Sequence, residues 1–139
     1  MAATTDSPQD SICIIPCLQY RDARTAIDWL CRAFGFEKHA VHDGPDGTVA
    51  HAEIRLGSAF VMLGSNTNTL FNWKSPLDAG CVTQSTYIVL GDVDAHCARA
   101  RAAGAEIVRD LNTTDYGSRE YTARDPDGHL WHFGTYRPG

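Results

Sequence analysis

The apolar positions along the chain change period several times, and each change marks an element. In "SICIIPCLQY" (11–20) apolar, β-prone residues run nearly unbroken, which predicts a strand. "RDARTAIDWLCRAFGF" then places Ala23, Ile27, Leu30 and Phe34 at helical spacing ahead of Gly35, a helix with a glycine stop. After the turn-rich "HDGPDG" (42–47), "TVAHAEIRLG" alternates: Ala50, Ala52, Ile54 and Leu56 fall on one face, Val49, His51, Glu53 and Arg55 on the other. "SAFVMLGS" follows as another strand, and a short extra strand fits around 36–42. Residues 11–65 therefore read as one β-α-β-β unit or its five-element extension. Residues 66–84 show no clean period and read as a linker or flexible lid.

From residue 85 the order restarts. "STYIVL" predicts a strand, "DVDAHCARARAAG" a helix with an aspartate start and a glycine stop, "AEIVRD" a strand, and "SREYTAR" with "HLWHFGTY" a hairpin around "DPDG". The halves superpose at an offset of 70: Asp22 and Asp92, Gly47 and Gly117, Gly64 and Gly134. A repeat of this length sets the architecture, because neither copy can bury its sheet alone. The expected fold is α+β: two βαβββ modules in tandem (11–65 and 85–137) forming a cupped mixed sheet, preceded by a flexible polar tail, 1–10.

Composition narrows the function classes. The 139 residues carry a formal charge of −5 with acids and bases interspersed, so no basic stripe suits nucleic acid. No apolar run reaches the roughly 18 residues of a membrane span, and the start has no secretory pattern. Five cysteines, an odd number without CxxC spacing, fit reduced thiols in a cytoplasmic protein.

Four stretches, "IPCLQYRDARTAIDWLCRAFGFE", "AHAEIRLGSAFVMLG", "YIVLGDVDAHCARARAAGAE" and "YGSREYTARDPDGHLWHFG", occur in this order at that repeat. Together they resemble the vicinal oxygen chelate superfamily of glyoxalase I, bleomycin- and fosfomycin-resistance proteins and extradiol dioxygenases. The match is most similar to the glyoxalase or bleomycin-resistance-like group and covers residues 11–137. The resemblance implies a ligand-holding cup and a homodimer. In metal-dependent members it implies one divalent ion held by four pseudo-equivalent strand positions.

Carried onto this chain, those positions are Ile15, Met62, Ser85 and His132. A catalytic divalent-metal site needs about three ligands from His, Asp, Glu or Cys, and one histidine does not supply them. The expectation is no cofactor, with a divalent metal the lesser alternative. Period 2 through His132 then lines the cup with Cys17, His51, Phe60, Met62, Ser85, Tyr87, Arg119, Tyr121, Leu130 and His132, with Trp73 as a lid.

Two functions follow. One is a metal-free cup that binds a small organic molecule against aromatic and apolar walls. The alternative is a metal-dependent lyase, isomerase or dioxygenase with a rearranged site using His51, Glu53 and His132, the carboxylate serving as base. His132 reads equally well as a histidine bonded to a strand neighbour.

Overall fold

A computed structural model describes residues 11–66 and 70–139. The expected tail, 1–10, lies outside the described residues, as do 67–69 of the connector. The elements are β1 (Cys17–Tyr20), α1 (Ala23–Phe34), β2 (Glu37–Asp43), β3 (Val49–Leu56), β4 (Ala59–Ser65), α2 (Pro76–Ala79), β5 (Ser85–Val89), α3 (Val93–Ala102), β6 (Glu106–Thr113), β7 (Arg119–Arg124) and β8 (Leu130–Gly134). They form two four-stranded mixed sheets ordered β1-β4-β3-β2 and β5-β8-β7-β6. The fold is α+β, two βαβββ modules in tandem.

Both long helices start at the aspartates that the repeat singled out. Asp22 accepts from Thr25 N at 3.1 Å and Asp92 from Ala95 N at 3.0 Å, satisfying amides that the first turn leaves free. α1 stops at Gly35, whose φ of 84° is left-handed. It buries Ala23, Ala26, Ile27, Leu30, Ala33 and Phe34, whereas α3 buries only Val93, Cys97 and Ala100. That narrow stripe suffices because α3 leans on α1: Arg99 donates to the terminal carbonyls of Arg32 (3.0 Å) and Cys31 (3.2 Å).

The helix-facing sides of the two sheets share one core. Phe34 packs against Trp131 and Phe133, and Phe36 against Trp131, with ring centroids 4.8 to 5.7 Å apart. Below them the buried Asp125 of "DPDG" accepts from Tyr20 Oη at 2.6 Å and Trp131 Nε1 at 2.9 Å. Its other oxygen accepts from the amides of Asp127 and His129. The turn expected to be mere punctuation thus clasps the modules together. With the inner faces joined, the opposite faces of both sheets point outward.

Three details differ from the pattern reading. The first strand begins only at Cys17, and the apolar run before it lies outside the sheet, with Ile14 92% exposed. The extra strand around 36–42 is β2, a full seven residues with a bulge at His39. Val49 is buried and Ala50 exposed, the reverse of the strict alternation, because a second bulge shifts register where Asp43 meets Val49.

Candidate functional site

The repeat holds at the strand pair that matters most. Cys17 faces Met62 on the parallel β1–β4 pair, and Tyr87 faces His132 on β5–β8. Across the next strand the offset becomes 69: Met62 faces Glu53, whereas His132 faces Thr122. The second hairpin is one residue longer, so Ile54 meets Val61 but Ala123 meets Trp131.

That single residue inverts the parity of β7 and corrects two expected cup residues. Tyr121 is fully buried on the helix side, stacked on Phe133 and bonded to His96 Nδ1 at 2.6 Å. Arg119 also points to the helices, paired with Asp94 at 2.8 Å. The outward residues of β7 are Glu120 and Thr122.

On the first sheet the outward face carries a carboxylate among imidazoles. Glu53 Oε2 lies 3.0 Å from His51 Nε2, and Oε1 lies 3.9 Å from His39 Nε2. His42 stacks on His51. The hydrogen bond from His51 is the main reason the Glu53 carboxyl sits below the ordinary carboxylate range. A carboxylate so stabilised is a poor proton acceptor, and its better service is to orient His51. Among the described residues, no group of three or more His, Cys, Asp or Glu side chains is placed to hold a metal ion.

Beside this cluster lies a hollow of about 180 Å³ above Gly64, bordered by Cys17, Gln19, His51, Met62 and Trp73. Four residues expected in the cup, Cys17, His51, Met62 and Trp73, therefore meet at one point. Trp73 is positioned by a well-tied connector. Asn66 Oδ1 accepts from Ser75 N at 3.1 Å, its Nδ2 reaches Asp78, and Leu77 N donates to Asp127 O at 3.1 Å.

The second sheet has the pseudo-equivalent glycine, Gly134, but its hollow is filled. Tyr87 reaches across it to Glu120 Oε2 at 2.9 Å, and Ser118 Oγ donates to the same oxygen. A Cβ on Gly134 would collide with the Tyr87 hydroxyl and stand 2.8 Å from Glu120 Cγ. Cys17, the counterpart of Tyr87, is too short to do this. One hollow stays open and the other is plugged.

His132 lies on the plugged side, between Thr122 Oγ1 (2.8 Å) and Ser85 Oγ (3.0 Å). No hydrogen bond joins it to His51 or Glu53, so the three proposed enzyme residues occupy two different sheets. Of the four positions implied for a metal, Ser85 and His132 are bonded to each other, while Ile15 and Met62 offer a hydrocarbon and a thioether. That donor set does not fit a catalytic divalent ion.

Phe60, Ser85 and Tyr87 border a larger cleft of about 850 Å³ between residues 13–16 and β5. Among the described residues β5 pairs only with β8, and its other edge carries no strand. Leu130 faces outward beside Ser85, its register partner. Gln19 also borders the Gly64 hollow; alternation with Cys17 in "CLQY" places it on the same cup-lining face, as the structure does.

The family model described as Glyoxalase/Bleomycin resistance protein/Dioxygenase superfamily matches residues 12–133. An uncharacterized protein of Mycobacterium tuberculosis is 35% identical over 121 residues, 86% of this chain and 71% of that protein. The crystal structure of TioX from Micromonospora sp. ML1 is similar at 34% identity and a TM-score of 0.73, over 89% of this chain and 98% of that one. A glyoxalase I mutant from Zea mays shares the fold at 18% identity and a TM-score of 0.66, over 88% of this chain and 44% of that one.

Proposed function

Because the chain belongs to the Glyoxalase/Bleomycin resistance protein/Dioxygenase superfamily, we propose that it binds a small organic molecule on the outward face of its first sheet, without the superfamily's usual metal site. The observation that carries this is the asymmetry between the two hollows. The hollow that Gly64 borders with Cys17, His51, Met62 and Trp73 is open, whereas Tyr87 closes that at Gly134. An aromatic lid, a polarizable apolar wall and a few fixed polar groups suit a planar organic ligand.

The working form is a homodimer. Its formation would cover the open β5 edge and the exposed Ile14 and Tyr87 along the larger cleft. A cytoplasmic location agrees with five unpaired cysteines, Cys13, Cys17, Cys31, Cys81 and Cys97. Among the described residues no helix is long and apolar enough to cross a membrane.

The test transplants the plug. Protein purified without chelator is analysed for metal and screened by thermal shift against a library of aromatic and amphipathic compounds. Cys17→Tyr should abolish the shifts while the fold persists. A stoichiometric ion, or shifts unchanged in Cys17→Tyr, would overturn the proposal.

The His51–Glu53 contact favours a second reading, a lyase or isomerase with a rearranged site. In it His51 is the base and Glu53 its positioning residue. Glu53→Gln should then remove turnover of hemithioacetal substrates without unfolding the protein.

A further inference from the structure

Gln19 stands on β1 opposite Gly64 and is 6% exposed. Among the described residues its Oε1 is the one buried side-chain polar atom without a hydrogen-bond partner. The orientation of the amide follows from its other end: Nε2 makes a long contact of 3.5 Å to Leu18 O, which the exchanged amide would replace by two facing oxygens. Three neighbouring donors are committed elsewhere. His129 Nε2 bonds the backbone oxygen of Gln19 at 2.8 Å, Arg21 N bonds Asp127 at 2.8 Å, and Cys17 Sγ reaches Ile15 O at 3.6 Å.

A buried carbonyl that has lost water and gained no donor is unfavourable, which is why such atoms are rare in folded chains. Gln19 borders the Gly64 hollow, so a ligand that shifts the side chains covering Oε1 can supply the missing donor. We infer that Gln19 selects the ligand, accepting a hydrogen bond from a neutral N–H on a planar ring held between Gly64 and Trp73. The inference rests on the reading of the Gly64 hollow as a ligand site.

Three features set the class of ligand. At about 180 Å³ the hollow holds the volume of roughly six waters and falls short of a site for a whole drug-sized molecule. It therefore takes one ring, and the rest of the ligand runs over the open sheet face. Trp73 provides an aromatic surface, and Met62 a polarizable apolar wall. The donor is neutral because the carboxylate beside the hollow, Glu53, is already paired with His51, and a single amide carbonyl does not compensate the desolvation of an ammonium.

The experiment compares indole with benzothiophene, near-isosteric bicycles in which sulfur replaces the N–H. Each is titrated into the ¹⁵N-labelled full chain while the Gly64 amide and the Trp73 indole signals are followed. Indole should bind about fivefold to tenfold more tightly, the factor expected of one added hydrogen bond. Gln19→Met should remove that preference, so that the two probes bind with the same affinity as each other.

Equal binding of the two probes to the wild type, which needs no variant, overturns the inference. A preference that survives Gln19→Met overturns it as well. If neither probe moves these signals although other compounds bind and are lost in Cys17→Tyr, this inference fails and the proposed function stands. If no compound is lost in Cys17→Tyr, both fail.

Discussion

Replacing Tyr20 by phenylalanine removes one oxygen from the contact that ties the two modules together. Tyr20 is fully buried, and its hydroxyl donates to Asp125 Oδ2 at 2.6 Å. The substitution leaves no orphaned donor; it takes one of four hydrogen bonds from a carboxylate that is 3% exposed. A hydrogen bond to a charged partner contributes about 1.5–3 kcal/mol, so a loss of roughly 2 kcal/mol is expected. For a domain stable by about 5–15 kcal/mol this is large but survivable. With a urea m-value of about 2 kcal/mol/M, the midpoint should fall by about 1 M.

Far-UV circular dichroism and tryptophan fluorescence both report the transition, the latter through Trp29 in one module and Trp131 in the other. Both probes should shift together with m unchanged, because the clasp makes the modules one cooperative unit. Burial is the main cause that raises the Asp125 pKa. Its contribution to stability is therefore fullest below the unfolded carboxylate value and is lost as pH rises through the folded one. A protonated Asp125 accepts a weaker hydrogen bond, so the gap between wild type and Tyr20→Phe should narrow on acidification. An unchanged midpoint, or a shift seen by only one probe, would refute the clasp. Asp125→Ala strands four donors at about 1–3 kcal/mol each and should not fold.

Two further predictions use the same contacts. His96 is held neutral, with Nε2 bonded to Phe34 O at 2.8 Å and Nδ1 facing the Tyr121 hydroxyl, and burial, followed by the nearby Arg99 charge, depresses its pKa. The stability it confers is complete above the unfolded value of about 6.5 and is lost as pH falls from there to the folded value. Chemical denaturation between about pH 7.5 and pH 5 should show that loss in the wild type and a shallower slope in His96→Gln. Gly134→Ala should push the Tyr87 hydroxyl off Glu120 and Tyr136 N, and Gly64→Ala sets Cβ 3.0 Å from the rigid Ala50 carbonyl; each should cost about 1–3 kcal/mol. Thermal melts of both variants should lie below that of the wild type.

The repeat made most of the architecture legible, because apolar period and helix-cap aspartates are local signals that survive in both copies. Asp22 and Asp92 cap as their positions imply, and the strand faces of Met62 and His132 follow from alternation alone. The Arg119 and Tyr121 assignment failed on one added residue in a hairpin, which alternation cannot register, since a slip of one keeps the period and reverses the face. Val49 and Ala50 were misplaced for a related reason, a bulge that depends on how β2 pairs with β3. Gln19 was legible as an inward residue but not as an orphan. Its lack of a partner depends on His129, 110 positions away in sequence, spending its Nε2 on the Gln19 backbone.

Duplication gives each module the same outward strand pair and the same glycine, so symmetry alone would provide two equal hollows. One position in each copy breaks the equivalence. Where the second module has Tyr87, the ring crosses Gly134 and its hydroxyl is held by Glu120. In the first, Cys17 leaves Gly64 uncovered and the connector sets Trp73 beside it. The plugged copy keeps its histidine engaged with Ser85 and Thr122, and the open copy keeps an unbonded amide carbonyl. The exchange of plugs should therefore move binding rather than merely destroy it: Cys17→Tyr closes the first hollow, and Tyr87→Cys opens the second with Glu120, not Gln19, at its edge. If the open second hollow takes ligands, an exposed carboxylate there should favour cationic rings over the neutral ones expected at Gly64, a reversal that a thermal-shift comparison of the double variant with the wild type would read directly.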